Sequence, residues 1–392
     1  MKSDIYSSII KKSITYAQSN EYKSYDVSDL MKTKPYALFS GLSNNFLRRA
    51  TLYLYSTLMK RKPEWIRKFV KEKGYIYPQG QAMVIRGLVT LAKKNNPLGD
   101  IEEAKKLADW LIKNSSPHSK HYGWGQPFLW YSRKPFPPNT PRATVSSQVA
   151  WAMLYLFEYT QDEIYLDVAK DVCYLFKEEF NYTPDNNGNF CVSYTTIDNY
   201  HIHNASMLAA SVIFRVYAYT KIAELGEFGM RIADFTASHQ NEDGSFYYWA
   251  PPDKLSYVID NYHTGFVLES YKTIKEDCGD SRYDNVYSDG ISFYYDNLFL
   301  DVIPKISWEK TYPIDIQSCS QSIMTFCLDG NQKYIKKAHE IADYTIQSFF
   351  LKDKNHFAYK IYENNFIDKS YYFRWADAWM IRALSYLMVE SE

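Results

Sequence analysis

Cysteine is scarce and unpatterned in this 392-residue chain. Cys173, Cys191, Cys278, Cys319 and Cys327 include no CxxC pair and no zinc-ligand spacing, which argues against a disulfide scaffold or a zinc module and for reduced thiols. Excess charge of either sign is missing too. The 45 Lys and Arg balance 45 Asp and Glu, so the basic footprint of a nucleic-acid or anionic-membrane binder is absent from the chain as a whole, and no nucleic-acid partner is expected. Long apolar runs are lacking: Val149–Phe157 spans nine residues, against the roughly 20 that cross a bilayer, so no transmembrane segment is expected. The N-terminus carries Asp4 and then Lys11-Lys12, which breaks up the apolar stretch a secretory signal requires and predicts a cytoplasmic protein. No GxGxxG, Walker or GxSxG string occurs, which removes dinucleotide, nucleotide and serine-nucleophile readings, and no cofactor is expected.

Aromatic residues, by contrast, are abundant. The 37 Tyr, 22 Phe and 9 Trp make up 17% of the chain. Tyrosine joins a flat apolar face to a hydroxyl, a combination suited both to sugar-binding clefts and to aromatic-rich cores.

A repeat organises the rest. Asp100–Asn114 opens with a capping box, Asp100 with Glu103, and places Ile101, Ala104, Leu107, Ala108, Leu111 and Ile112 on one helical face. The pattern returns at 162–179, 225–238 and 332–349, as expected for surface-facing helices. Between them lie helices that are apolar or small nearly all round, such as Val145–Tyr159 and Asn204–Tyr219, and such helices are buried on every side. Their starts near 80, 145, 203, 261, 315 and 373 are 65, 58, 58, 54 and 58 residues apart. Six buried helices, each paired with an amphipathic one, satisfy every apolar face by closing into a ring. The sequence therefore predicts an all-α (α/α)6 toroid of six helical hairpins with long rim loops. It reads as one domain over 1–392, with 1–40 as an N-terminal helical extension and 42–60 as partner of the last inner helix.

Inner helices that run the same way gather their entry loops at one rim. These loops carry Tyr122-Gly123-Trp124, Asn187-Gly188-Asn189-Phe190, Asp243-Gly244-Ser245-Phe246 and Asn355-His356-Phe357. The first turns are chemically loaded: Tyr77 and Gln81; Arg142 and Thr144; His201, His203 and Asn204; Asp260, Tyr262 and His263; Asp315 and Gln317; Arg374, Trp375 and Asp377. Each has a plainer reading. Asp260 and Asp315 suit N-caps, Arg374 can pair with Asp377 one turn on, Tyr257 and Tyr262 can pack as aromatics, and a lone histidine is more often structural. Caps alone, however, require neither His nor Arg nor Trp, and their coincidence at one rim predicts a cleft whose helix N-termini favour an anionic ligand. His201 and His203 with Asp198 and His263 form a weak metal pattern, and no metal is expected.

Four strings carry a resemblance: Tyr122–Phe128, Val258–Leu268, Tyr312–Gln317 and Tyr372–Trp379. Through them the chain, over roughly 40–390, resembles (α/α)-toroid proteins of capsule and O-antigen polysaccharide biosynthesis. Tyr75–Ala82 and Asp260–Thr264 are similar to the helical domain of D-glucuronyl C5-epimerases, and Arg374-Trp375-x-x-Ala378-Trp379 to unsaturated glucuronyl hydrolases. The resemblance implies a glycan substrate, probed by acid–base chemistry on a uronic acid. Abstracting a C5 proton requires a neutralised carboxylate, a base and an acid, and both epimerisation and β-elimination start from the resulting carbanion. Asp260, His263, His203, Tyr257, Arg374, Asp315 and Asp377 are the candidate catalytic residues. Tyr77, Gln81, Trp124, Arg142, His201, Asn204, Tyr262, Gln317 and Trp375 are the candidate substrate-binding residues. Two other readings stay open. A glycoside hydrolase would use two carboxyls drawn from Asp260, Asp315, Asp377 and Asp198, and a non-catalytic glycan binder would use Trp124, Trp130, Trp249, Trp308 and Trp375.

Overall fold

Apolar periodicity and capping chemistry set the helix boundaries. In chain order the helices that matter to the site are α1 (Lys2–Ser19), α2 (Asn45–Arg61), α3 (Pro78–Lys93), α4 (Ile101–Lys113), α5 (Ala143–Thr160), α6 (Glu163–Glu178), α7 (His203–Thr220), α8 (Ala223–Ala237), α9 (Asn261–Cys278), α10 (Asp284–Asn297), α11 (Ile316–Asp329), α12 (Gln332–Phe349) and α13 (Asp377–Glu390). The computed structural model describes residues 2–28, 36, 38, 39, 41–61, 67–69, 73–131, 135–253 and 257–390. Pro78 fills the first turn of α3, where its missing N–H costs nothing. Asp100, Asp260, Asp315 and Asn331 cap α4, α9, α11 and α12 through their side chains. Gly279 and Gly330 end α9 and α11 at positive φ.

The uniformly apolar helices form the inner wall. Each of α3, α5, α7, α9, α11 and α13 packs on the next, and α13 packs back on α3, so the ring is closed. The amphipathic helices α4, α6, α8, α10 and α12 each lie outside the inner helix that precedes them. This is the expected (α/α)6 toroid. At its axis two guanidiniums converge on one carboxylate. Glu269 takes Arg86 at 3.3 Å and also Arg382 on Oε1, while Gln321 donates to Oε2 at 2.9 Å. Burial opposes ionisation of Glu269, yet Arg382 and Arg86 hold it down at about 2.

One expectation is corrected. The last inner helix, α13, is covered by α1, not by residues 42–60. Tyr6, Ile9, Ile10, Ser13 and Ala17 fall on one face of α1 and are buried, and the Tyr6 hydroxyl donates to Asp343 of α12 at 3.2 Å. Residues 2–19, expected to lie in an extension, therefore fill the sixth outer position. Helix α2 stands apart from that packing.

Candidate active site

All six inner helices begin at the same rim, where short antiparallel pairings fix the loops. Ile314–Asp315 pairs with Lys360–Ile361, which pairs with Ile367–Asp368. Lys23–Ser24 pairs with Tyr75–Ile76 and ties the N-terminal segment to the start of α3. The Asp243-Gly244 turn needs Gly244, whose φ is +87° and whose added Cβ would lie 2.5 Å from the Asp289 carbonyl oxygen. Beyond that turn, the chain from Phe246 onward folds across the mouth. Tyr248 N–H bonds the Val258 carbonyl at 2.8 Å, and Ala250 N–H bonds His201 O at 3.0 Å.

Two adjoining hollows result. The larger has a volume of about 260 Å³ and is walled by Trp130, Tyr194, Tyr200, Tyr248, Trp249 and Trp375, with Arg142, Arg374 and Gln126 as its charged and amide groups. The smaller, deeper one is bounded by His203, Asn204, Asp260 and His263. Tyr248 belongs to both.

In the deeper hollow Asp260 does two things at once. Its Oδ1 accepts the His263 backbone N–H at 2.9 Å as an N-cap, and its Oδ2 lies 2.6 Å from His263 Nδ1. A carboxylate only accepts, so Nδ1 is the donor to Asp260, and in the neutral ring Nε2 is the nitrogen with a lone pair. The imidazole is clamped between Tyr262 and Tyr248, at centroid distances of 4.0 and 4.5 Å. Burial, with Asp260 among the neighbouring charges, pushes both phenols well above their usual range. They stay protonated at neutral pH.

The two arginines of the mouth differ. Arg374 is compensated: its Nε donates to Asp26 at 2.6 Å, its Nη1 to Gln79 at 2.9 Å, and its plane stacks on Trp375 at 3.9 Å. Burial opposes ionisation of Asp26, but Arg374 more than offsets it and holds the carboxyl below its usual range. Arg142 lies between the rings of Trp130 and Tyr194, at 4.9 and 4.8 Å, and donates to the Tyr194 hydroxyl. With its amide oxygen turned toward the cations, Gln126 accepts from Arg142 Nη1 at 2.7 Å and Arg374 Nη2 at 2.8 Å. Among the described residues, no carboxylate pairs with Arg142. The mouth therefore carries, among the described residues, a positive charge without a carboxylate partner inside an aromatic wall.

The remaining sequence candidates sort by position. Tyr200 and Trp249 line the mouth, whereas His201 lies behind that lining and is tied through its N–H and Nδ1 to Asp253 at 2.8 and 3.0 Å. His203 bounds the deep hollow, but its Nδ1 is 3.2 Å from Thr236 and burial, aided by His239, pushes it down to about 3, so it is neutral. Asn204 bounds the same hollow, and its buried Oδ1 has no partner among the described residues. Gln81 and Gln317, likewise buried, leave their Oε1 atoms unpartnered. Tyr77 is buried beneath Arg374 at 5.5 Å.

Several candidates lie elsewhere. Trp124 is a core residue whose indole N–H caps the Leu111 carbonyl at 2.9 Å. Tyr257 is 68% exposed and packs edge-on against Tyr247, outside both hollows. Asp315 caps α11 and pairs with Lys360 at 2.9 Å. Asp377 does not pair with Arg374; it is fully buried, accepts the Phe357 N–H at 3.1 Å, and is pushed up to about 7 by burial. Asp198 organises its own loop by accepting from Tyr194, Tyr200 and Thr195. Trp308 packs on Phe293 away from the mouth. Asp26, Gln126, Tyr194 and Tyr248 were not singled out from sequence. Gln126 lies inside one of the resembling strings, whereas Asp26 reaches Arg374 across 348 positions and leaves no local signal. No cluster of metal-ligating side chains occurs among the described residues, and none of their helices is long and apolar enough to cross a membrane.

No family model matches the sequence, and no curated protein matches it. Solved structures do. A cellobiose 2-epimerase from Bacillus thermoamylovorans aligns over 81% of this chain and 88% of its own, with a TM-score of 0.62 and 10% identity. An α-mannanase of glycoside hydrolase family 76 from Bacteroides thetaiotaomicron covers 80% and 86% at 0.60 and 12%. An unsaturated glucuronyl hydrolase specific for heparin covers 80% and 87% at 0.57 and 13%. At such identities the likeness establishes the (α/α)6 toroid, and any chemistry must come from the residues themselves.

Proposed function

We propose that this chain is a cytoplasmic carbohydrate-active enzyme of surface-polysaccharide metabolism. Its substrate is a uronic-acid-containing glycan, and its chemistry is proton transfer at carbon, of C5-epimerase or lyase type. The observation that carries this reading is Arg142, a cation without a carboxylate partner among the described residues, set in an aromatic-walled mouth that adjoins the Asp260–His263 pair through Tyr248.

The roles follow from the geometry. A uronate carboxylate supplies the counter-charge that no described residue gives Arg142, and neutralising it acidifies the C5 hydrogen. Nε2 of His263 accepts that proton, while Asp260 fixes the ring and stabilises the imidazolium that forms. Tyr248, kept protonated by burial and packed on the His263 ring, is the acid we assign to return a proton in epimerisation. Trp130, Trp249 and Trp375 offer faces for sugar rings. Arg374 and His201 act one step back: the first through Asp26 and Gln126, the second by holding the Tyr248–Trp249 segment. Paired-carboxylate hydrolysis draws less support, because Asp315 and Asp377 are committed to Lys360 and to the Phe357 N–H, leaving Asp260 as the carboxyl that lines a hollow among the described residues.

The test is to offer uronate-containing oligosaccharides beside the same glycans reduced at the carboxyl. Turnover confined to the uronates is expected, with ultraviolet absorbance of an unsaturated product separating lyase from epimerase. Equal processing of the reduced glycans would sink the assignment of Arg142.

A further inference from the structure

Helix α2 turns its apolar side outward. Phe46, Leu47, Tyr53 and Leu54 are 77%, 51%, 74% and 59% exposed, and Leu58 is exposed with them. At about 100° per residue these positions share one face. Tyr55, on the other side, is buried and meets Phe39 at 5.8 Å. Large side chains gathered on one exposed face mark an interaction surface, where scattered ones would not.

Charge identifies the partner. Over residues 45–73, Lys and Arg outnumber Asp and Glu nine to two, or eight to two without the buried Arg67, in a chain whose totals are 45 each, so the remainder carries 36 against 43. On α2 the described cations Arg48 and Arg49 flank the apolar face, and an apolar stripe of Phe, Tyr and Leu bordered by cations is the pattern of a helix lying in a bilayer interface, with its rings at headgroup level and its cations on lipid phosphates. A second copy is a poorer occupant, since a two-fold contact sets the patch against itself and brings like charges together.

The described residues on either side of the segment lie at the mouth. Ser28 lines the larger hollow, Tyr75–Ile76 returns to pair with Lys23–Ser24, and Arg67 donates to the Asp26 carbonyl at 3.2 Å and the Tyr372 hydroxyl at 3.0 Å. We infer that α2 docks the protein on an anionic phospholipid bilayer, with the mouth on the bilayer side.

The experiment is co-sedimentation of the full chain with phosphatidylcholine vesicles, with and without phosphatidylglycerol, at low and high salt. Wild type is expected to pellet with the phosphatidylglycerol vesicles and be released by salt. The double variants Phe46→Ser/Leu54→Ser and Arg48→Glu/Arg49→Glu, checked for fold by circular dichroism, are each expected to lose at least about tenfold in partition. Absence of pelleting at low salt, equal binding to vesicles of phosphatidylcholine alone, or variants that bind like wild type would overturn the inference. So would a dimer in sedimentation velocity that Phe46→Ser/Leu54→Ser dissolves. No substrate enters the measurement, so its failure is separate from failure of the proposed reaction.

Discussion

Asp260 serves a helix and a histidine together, and substitution separates the two duties. Asparagine is as good an N-cap as aspartate, but it cannot hold His263 as a carboxylate does. Asp260→Asn should change thermal stability by less than about 1 kcal/mol while lowering kcat by roughly 10²- to 10⁴-fold; a fall in both together would mean the residue is only a cap. Arg142→Gln keeps a planar donor and removes the charge. Its effect should appear as roughly a 100-fold loss in kcat/KM on uronates, with stability little altered because no described carboxylate is stranded. At this scale the sequence was informative where function coincided with a helix start. Asp260, His263, Arg142 and Trp375 sit next to a boundary that periodicity defines. Sequence did not show that Tyr257 lies outside both hollows while Tyr248 borders them, because register is not written in a string of aromatics, nor that Trp124 lies in the core, because a buried indole and a sugar platform share one residue type.

Elements were legible wherever each apolar position had a neighbour to face. The spacing of 54 to 65 residues between inner helices located the ring, since six helices without a wet face have few other ways to hide. The sixth outer helix was misplaced although its signal was present: Tyr6, Ile9, Ile10, Ser13 and Ala17 form a stripe as regular as that of α4. Residues 42–60 show an equally amphipathic pattern, and periodicity reports that a face is apolar without saying what covers it. Close packing between elements is testable at Gly265 of α9. An added Cβ would lie 2.7 Å from Gln321 Cγ and 3.0 Å from Thr325 Oγ1, both on α11. Gly265→Ala should therefore lower stability by about 1–3 kcal/mol in chemical denaturation, despite alanine's better helix propensity. An unchanged or raised midpoint would show that α9 and α11 approach less closely.

The whole molecule carries its pH dependence in buried groups. Asp377 holds a proton up to about 7 in the folded state, against an ordinary value of 3.8. Between about pH 4 and 7 the folded chain thus binds a proton that the unfolded chain has released, and stability falls as pH rises through that window, levelling above it. The penalty is at most about 4 kcal/mol, at roughly 1.4 kcal/mol per pH unit. Asp377→Asn keeps an acceptor for the Phe357 N–H and removes the ionisation. It should melt higher than wild type at pH 8 and close to wild type near pH 4; the same difference at both would contradict the assignment. His203 acts with the opposite sign, since its suppressed protonation weakens the fold as pH drops below about 6.5.

The closed ring brings a cation, a phenol and an Asp-held imidazole to one mouth, and the most direct test of their joint purpose is isotopic. The protein is incubated in deuterium oxide with a uronate-containing glycan, and C5–H is followed by proton NMR for wild type and for His263→Gln. Loss of the C5 signal with wild type, and its retention with the variant, is the expected result. Exchange that persists undiminished in His263→Gln, or a wild type that leaves C5 untouched while oxygen from labelled water enters the anomeric carbon, would contradict it.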